Sequence, residues 1–148
     1  MTPKLRVIAP QENLIHRVLI VEDEPALADV LQRTLQRSGF EAEIALDGRT
    51  AASLIKELSP AVMTLDLQMP HMNGMDLLKL IRSNPEFNNI KILIVSAMTD
   101  AQLQEAMNAG ADGALAKPFR TSVLIERIAR LINPTAENKI GQELGEAA

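Results

Sequence analysis

Five short apolar runs, each followed by a stretch of helical periodicity, confine this chain to a narrow set of folds. Residues 18–21, 41–45, 61–65, 90–95 and 114–116 read as strands. Runs such as Val18-Leu19-Ile20-Val21 and Ile92-Leu93-Ile94-Val95 are apolar on successive residues, which suits strands buried on both faces. After the first run, Pro25 sits where a first helical residue belongs, with Asp23 or Glu24 near the cap. Leu27, Val30, Leu31 and Leu35 then repeat at helical spacing until Gly39.

The same alternation continues along the chain. Asp47-Gly48 leads into a helix carrying Ala52, Leu54, Ile55 and Leu58, which Ser59-Pro60 ends. A loop through Met69-Pro70 and Asn73-Gly74 feeds a helix with Leu77, Leu78 and Ile81, broken by Asn84-Pro85. Thr99-Asp100-Ala101-Gln102 has the form of a capping box before a helix whose apolar stripe, Leu103, Ala106 and Met107, is thin. Gly110 and Gly113 bracket the turn into the fifth strand. The last helix, about 121–132, is expected to bury Leu124, Ile125, Ile128, Leu131 and Ile132 before Asn133-Pro134 closes it. A (βα)5 order without hairpin signals predicts an α/β domain with a doubly wound, parallel five-stranded sheet. The expected boundaries are an N-terminal extension at 1–16, the domain at 17–133, and an acidic tail or linker at 134–148.

Composition narrows the function. The chain is 47% hydrophobic but only 2% aromatic, with three Phe and no Trp or Tyr, so few platforms exist for stacking on single-stranded nucleic acid. A formal net charge of −4 argues against a surface built to coat DNA, and no direct nucleic-acid contact is expected. Cysteine is absent, which excludes disulfides and thiolate metal sites and fits a reducing, cytoplasmic setting. No apolar run reaches the roughly 18 residues of a membrane span, and residues 1–17, broken by Pro3 and Pro10, lack a signal-peptide core.

Polar residues punctuate the strand ends. Glu22-Asp23 follows the first run, Asp66 the third, Ser96 the fourth and Lys117 the fifth. In an open doubly wound sheet, sites lie outside the carboxyl ends of the strands. Three converging carboxylates would repel without a cation, and Mg²⁺, which takes oxygen ligands and works with phosphate, resolves that. Asp66 can attack phosphorus as a nucleophile, Lys117 can neutralise a phosphoryl oxygen, and Ser96 can donate a hydrogen bond. The bland alternative is that acidic residues after strands merely cap helices.

The strings VLIVEDEP, VMTLDLQMPHMNGMDLL, ILIVSAM and AGADGALAKPF together resemble the response-regulator receiver domain of two-component signalling, over about 17–132. The resemblance implies a flavodoxin-like sheet of order 2-1-3-4-5. It also implies a phosphoacceptor, Asp66, that takes a phosphoryl group from a phosphohistidine on a sensor histidine kinase or histidine phosphotransfer protein. By the same resemblance Mg²⁺ is held by Asp23, Asp66 and the backbone carbonyl of Gln68, with Glu22 acting through water. Ser96 matches the switch hydroxyl and Lys117 the family's lysine, with a cis peptide expected before Pro118. The implied partner surface is the face of helix 4, strand 5 and helix 5, and homodimerisation through it is left open.

One position departs from the family pattern: Ala114 stands where Tyr or Phe is usual three residues before the lysine. The usual inward swing of an aromatic ring is then absent, which shifts the switch to the loop after strand 4 and helix 4, or leaves a cavity for a partner side chain. Met98 is placed to shield an acyl phosphate, giving slow self-dephosphorylation. His71 and His16 read as solvated side chains, and the methionines as packing. A Mg²⁺-dependent aspartyl-phosphate hydrolase would need a second Asp where Gln68 stands, and a flavin or nucleotide binder a Gly-rich loop where Glu22-Asp23-Glu24-Pro25 stands. The expected output is that of a stand-alone receiver acting through protein contacts, the alternative being a fragment of a larger regulator.

Overall fold

The computed structural model describes residues 15–134. Most of the expected N-terminal extension, and the tail after Pro134, lie outside the described residues. Strands β1 (Arg17–Val21), β2 (Glu41–Ala45), β3 (Val62–Leu65), β4 (Lys91–Ser96) and β5 (Gly113–Ala116) alternate with five helices. These are α1 (Pro25–Arg37), α2 (Gly48–Leu58), α3 (Gly74–Arg82), α4 (Asp100–Asn108) and α5 (Thr121–Ile132), with a 3-10 turn at Pro85–Phe87. All strands pair in parallel, in the expected order β2-β1-β3-β4-β5.

Side chains alternate across the strands, so the apolar runs feed two cores at once. Leu19, Val21, Met63, Leu65, Ile92 and Ile94 pack with Ile55 of α2 and Leu77, Leu78 and Ile81 of α3. Val18, Ile20, Val62, Leu93 and Val95 pack with Leu31 and Leu35 of α1 and Leu124 and Ile128 of α5. Each such Leu or Ile contributes roughly 1.5–3 kcal/mol by leaving water. Helix α4 is the exception, because Ala106 is its sole buried residue.

Local signals set the helix ends. Asp47 accepts the Thr50 amide at 2.7 Å to cap α2, and Asn73 accepts the Met75 amide at 2.7 Å to cap α3. The Thr99–Gln102 capping box forms in both directions. Gly74 opens α3 directly against the end of β3, its amide donating to the Leu67 carbonyl at 3.1 Å. A Cβ there would fall 2.6 Å from Leu67 Cα and against the Asp66 carbonyl, so this seat admits only glycine.

Three details differ from the sequence expectation. Val30 is 48% exposed while Ala28 is buried, because the inward face of α1 runs through Ala28, Leu31 and Leu35. Of the apolar residues of α5, only Leu124 and Ile128 are fully buried, while Ile125, Leu131 and Ile132 pack at the rim. Gly113 lies inside β5, paired with Leu93, rather than in the preceding turn. A Cβ on it would come to 3.3 Å from Leu93 Cδ1, a tight contact that this side-chain end would have to yield to.

Candidate functional site

The sheet ladder extends one residue beyond each strand and so fixes the polar residues that follow. The Glu22 amide donates to the Ala45 carbonyl, the Asp66 amide to the Val21 carbonyl and the Lys117 amide to the Ser96 carbonyl, each at 3.1 Å. Four of the predicted residues, Glu22, Asp66, Ser96 and Lys117, thereby meet at the carboxyl edge of β1, β3, β4 and β5. Asp23 joins them: one carboxylate oxygen each from Glu22, Asp23 and Asp66 lies within 4.8 Å of the others. Glu22, Asp66 and Ser96 are buried, and Asp23 is half-buried.

Asp66 is the hub. Its Oδ1 accepts from Ser96 Oγ at 2.8 Å and from the Gln68 amide at 3.0 Å, and its Oδ2 accepts from Lys117 Nζ at 3.1 Å. The same ammonium donates to Glu22 Oε1 at 2.8 Å, while Glu22 Oε2 accepts the Glu24 amide at 3.2 Å. A cis peptide joins Lys117 to Pro118, as expected. Burial pushes the Glu22 carboxyl above its ordinary value, and the negative charge of Asp66 adds to this, against the hydrogen bond from Lys117. Burial by itself would lower the Lys117 ammonium, but its hydrogen bonds to Glu22 and Asp66 outweigh it and leave the pKa raised. Lys117 therefore stays charged near neutral pH.

Three carboxylates against one ammonium leave two negative charges, the deficit a divalent cation carries. An all-oxygen donor set of this size suits Mg²⁺ rather than a metal that prefers nitrogen or sulfur ligands. An ionised aspartate in this setting is chemically able to attack an electrophile without a general base.

The other singled-out residues fall around the hub. Met98 is half-buried and packs against the core under α2 and α3, as do Met69, Met72 and Ala114. His71 is exposed in the loop before α3, with φ at 70°, and lines a cavity of about 270 Å³ with Asp47, Gly48, Arg49 and Met72. Sequence reasoning missed two features. The Gln68 carboxamide turns away from Asp66 and donates to the Ala97 carbonyl at 2.8 Å. Gly74 is required by the backbone of Asp66 and Leu67, a need that only the Asn73-Gly74 pair hinted at. Among the described residues, no helix is long and apolar enough to cross a membrane.

Comparison with known proteins gives one consistent answer. The profile described as "Response regulator receiver domain" matches residues 18–129. The chain is 34% identical over 118 residues to the DNA-binding response regulator MtrA of Mycolicibacterium smegmatis, covering 79% of this chain and 50% of that protein. It is 34% identical over 138 residues to the alkaline phosphatase synthesis transcriptional regulatory protein SphR of Synechococcus elongatus, covering 86% and 53%. The chain thus spans about half the length of the curated relatives it matches. Among solved structures, a response-regulator signal receiver domain from Bermanella marisrubri superposes with a TM-score of 0.76 at 41% identity, over 81% of this chain and 100% of that one. The chemotaxis protein CheY4 of Vibrio cholerae superposes with a TM-score of 0.75 at 31% identity, over 80% and 99%.

Proposed function

This chain belongs to the response regulator receiver domain family, and on that premise we propose that Asp66 accepts a phosphoryl group from a phosphohistidine in the presence of Mg²⁺. The carrying observation is the convergence of Glu22, Asp23, Ser96 and Lys117 on Asp66. In the step, an Asp66 carboxylate oxygen forms a bond to phosphorus, the N–P bond of the donor breaks, and the electron pair stays with the imidazole. Lys117 neutralises charge on the moving group, and Ser96 donates to it afterwards. Asp23, Asp66 and the Gln68 backbone carbonyl would hold Mg²⁺, with Glu22 reaching it through water. When bound, the ion supplies charge neutralisation and alignment of the phosphoryl oxygens.

The donor partner is a sensor histidine kinase or a histidine phosphotransfer protein, and the protein acts in the cytoplasm. The output is altered binding of a protein target at the α4–β5–α5 face rather than turnover of a substrate. The only catalysis is of its own phosphorylation and of slow dephosphorylation, with Met98 beside the acyl phosphate. Gln68 stands where a hydrolase would carry its second Asp, and its carboxamide is engaged with Ala97. That argues against hydrolase turnover.

The MtrA relative is named as a DNA-binding regulator, and this chain spans half of that relative. That favours a second reading of output, in which residues 17–133 are the receiver of a longer regulator whose nucleic-acid contacts lie elsewhere. The reading frame after Ala148 separates this from a stand-alone receiver.

The test is labelling with acetyl phosphate and Mg²⁺. The expected result is a mass gain of one phosphoryl group per chain, labile to hydroxylamine, lost in Asp66→Asn and absent when EDTA replaces Mg²⁺. Labelling that survives Asp66→Asn would sink the assignment.

A further inference from the structure

Helix α4 buries the fewest residues of the five α-helices. It buries only Ala106, and its Lys79–Glu105 pair to α3 is half exposed on both sides, where ion pairs contribute little. Its two ends are held very differently.

At the leading end, the loop from β4 to α4 is tied to Asp66 twice. Ser96 Oγ donates to Asp66 Oδ1 at 2.8 Å. One residue on, the Ala97 carbonyl accepts from the Gln68 carboxamide at 2.8 Å, while the Gln68 amide donates to the same Asp66 Oδ1 at 3.0 Å. At the trailing end, the largely buried Arg82 guanidinium donates to the carbonyls of Gly110 (2.9 Å), Phe87 (3.1 Å) and Ile90 (2.7 Å) and to Asp112 Oδ2 (2.8 Å). Asp112 Oδ2 also accepts the Ile92 amide at 2.8 Å. Gly110, with φ at 111°, lies so close that a Cβ would come 2.8 Å from Arg82 Cγ.

We propose that the Gln68 carboxamide is a releasable latch on the β4–α4 loop, and that Arg82 is the fixed pivot about which α4 turns when the latch opens. This rests on Asp66 being the phosphoacceptor. An acyl phosphate replaces one charged carboxylate by a group whose charge sits on its outer oxygens, which are the better acceptors for Ser96. Ser96 moving toward them carries Ala97 with it. Gln68 hangs from the other loop, so its carboxamide loses the Ala97 carbonyl. The trailing end keeps all of its Arg82 bonds, because none of them touches Asp66. With Ala114 in place of an aromatic ring, this loop is the direct physical link from Asp66 to α4.

The test is amide hydrogen exchange on the full chain, first with no phosphoryl donor. Gln68→Ala and the near-isosteric Gln68→Glu, which cannot donate to a carbonyl, should raise exchange at Thr99, whose amide is held by the Gln102 side chain at 2.9 Å. The expected rise is roughly threefold to tenfold, the worth of one net hydrogen bond. Exchange at residues 110–113 should not change. No rise at Thr99 in either variant overturns the latch, and an equal rise at 110–113 overturns the pivot. The second arm treats wild type with beryllium fluoride and Mg²⁺, a non-covalent phosphoryl mimic, and expects the same pattern. If Thr99 stays protected while acetyl phosphate labels Asp66 in a parallel sample without beryllium fluoride, release fails and the phosphoacceptor reading survives. If Asp66 is not labelled, that reading itself falls, while the first arm still decides the latch.

Discussion

At the residue scale, the site is a charge imbalance held in place by backbone. Lys117 meets two of the three carboxylates, Glu22 and Asp66, while Asp23 adds a negative charge within 4.8 Å of both. Without metal that third charge raises the energy of the folded state. Asp23→Asn should therefore stabilise the metal-free protein by roughly 1–2 kcal/mol, the Coulomb repulsion of like charges about 5 Å apart at a screening between that of water and that of a protein surface. Saturating Mg²⁺ should reverse the order, since binding at about 100 times the dissociation constant adds about 2.7 kcal/mol to wild type, while the variant has lost a ligand. Urea unfolding with EDTA and then with Mg²⁺ reads both signs, and a variant less stable than wild type in EDTA would refute the imbalance. These residues were legible in the sequence because each is a polar residue placed at the end of an apolar run. The Gln68–Ala97 and Arg82–Gly110 contacts were not, because a side chain reaching a distant carbonyl leaves no period or spacing to read.

At the scale of elements, local rules carried well where the interaction is local. The Thr99–Gln102 capping box closes within three residues of chain and forms as the sequence implies, and the Asp47 cap of α2 is equally local. They carried less well where a neighbour decides. The inward face of α1 took Ala28 and left Val30 outside, since the way the helix is turned against the sheet decides which of its residues face inward. Gly74 is the strongest such case, its role set by the approach of α3 to the end of β3 rather than by a turn. In Gly74→Ala the new Cβ would stand 2.6 Å from Leu67 Cα and against the Asp66 carbonyl. Because those atoms are backbone, α3 must shift as a unit. The expected loss is about 3 kcal/mol, at the upper end of the ordinary range for single substitutions, with slower labelling of Asp66 because its main chain is displaced. Thermal unfolding and the acetyl phosphate assay measure the two effects, and wild-type values in both would show that the helix can retreat freely.

At the scale of the whole molecule, the alternation of strands and helices announced a parallel sheet, but only the family resemblance supplied the strand order. Hydrophobic periodicity says that a strand is buried, not which strand lies beside it. The two cores are aliphatic, with Phe40, Phe87 and Phe119 only partly buried at their rims. Every fully buried residue of the two clusters lies between Val18 and Ile128. Among the described residues, the burial that drives folding lies inside the expected 17–133 domain. A chain trimmed to residues 15–134 should accordingly keep its thermal midpoint within about 4 °C of the full chain, the shift that less than about 1 kcal/mol produces at this size. It should also keep the full Mg²⁺-dependent rise, since Glu22, Asp23, Asp66 and Gln68 all lie inside the trimmed length. Calorimetry of both chains, with EDTA and with Mg²⁺, makes the comparison. A larger drop in EDTA would mean that the removed segments add to the cores, and a lost Mg²⁺ response would mean that they complete the acidic site.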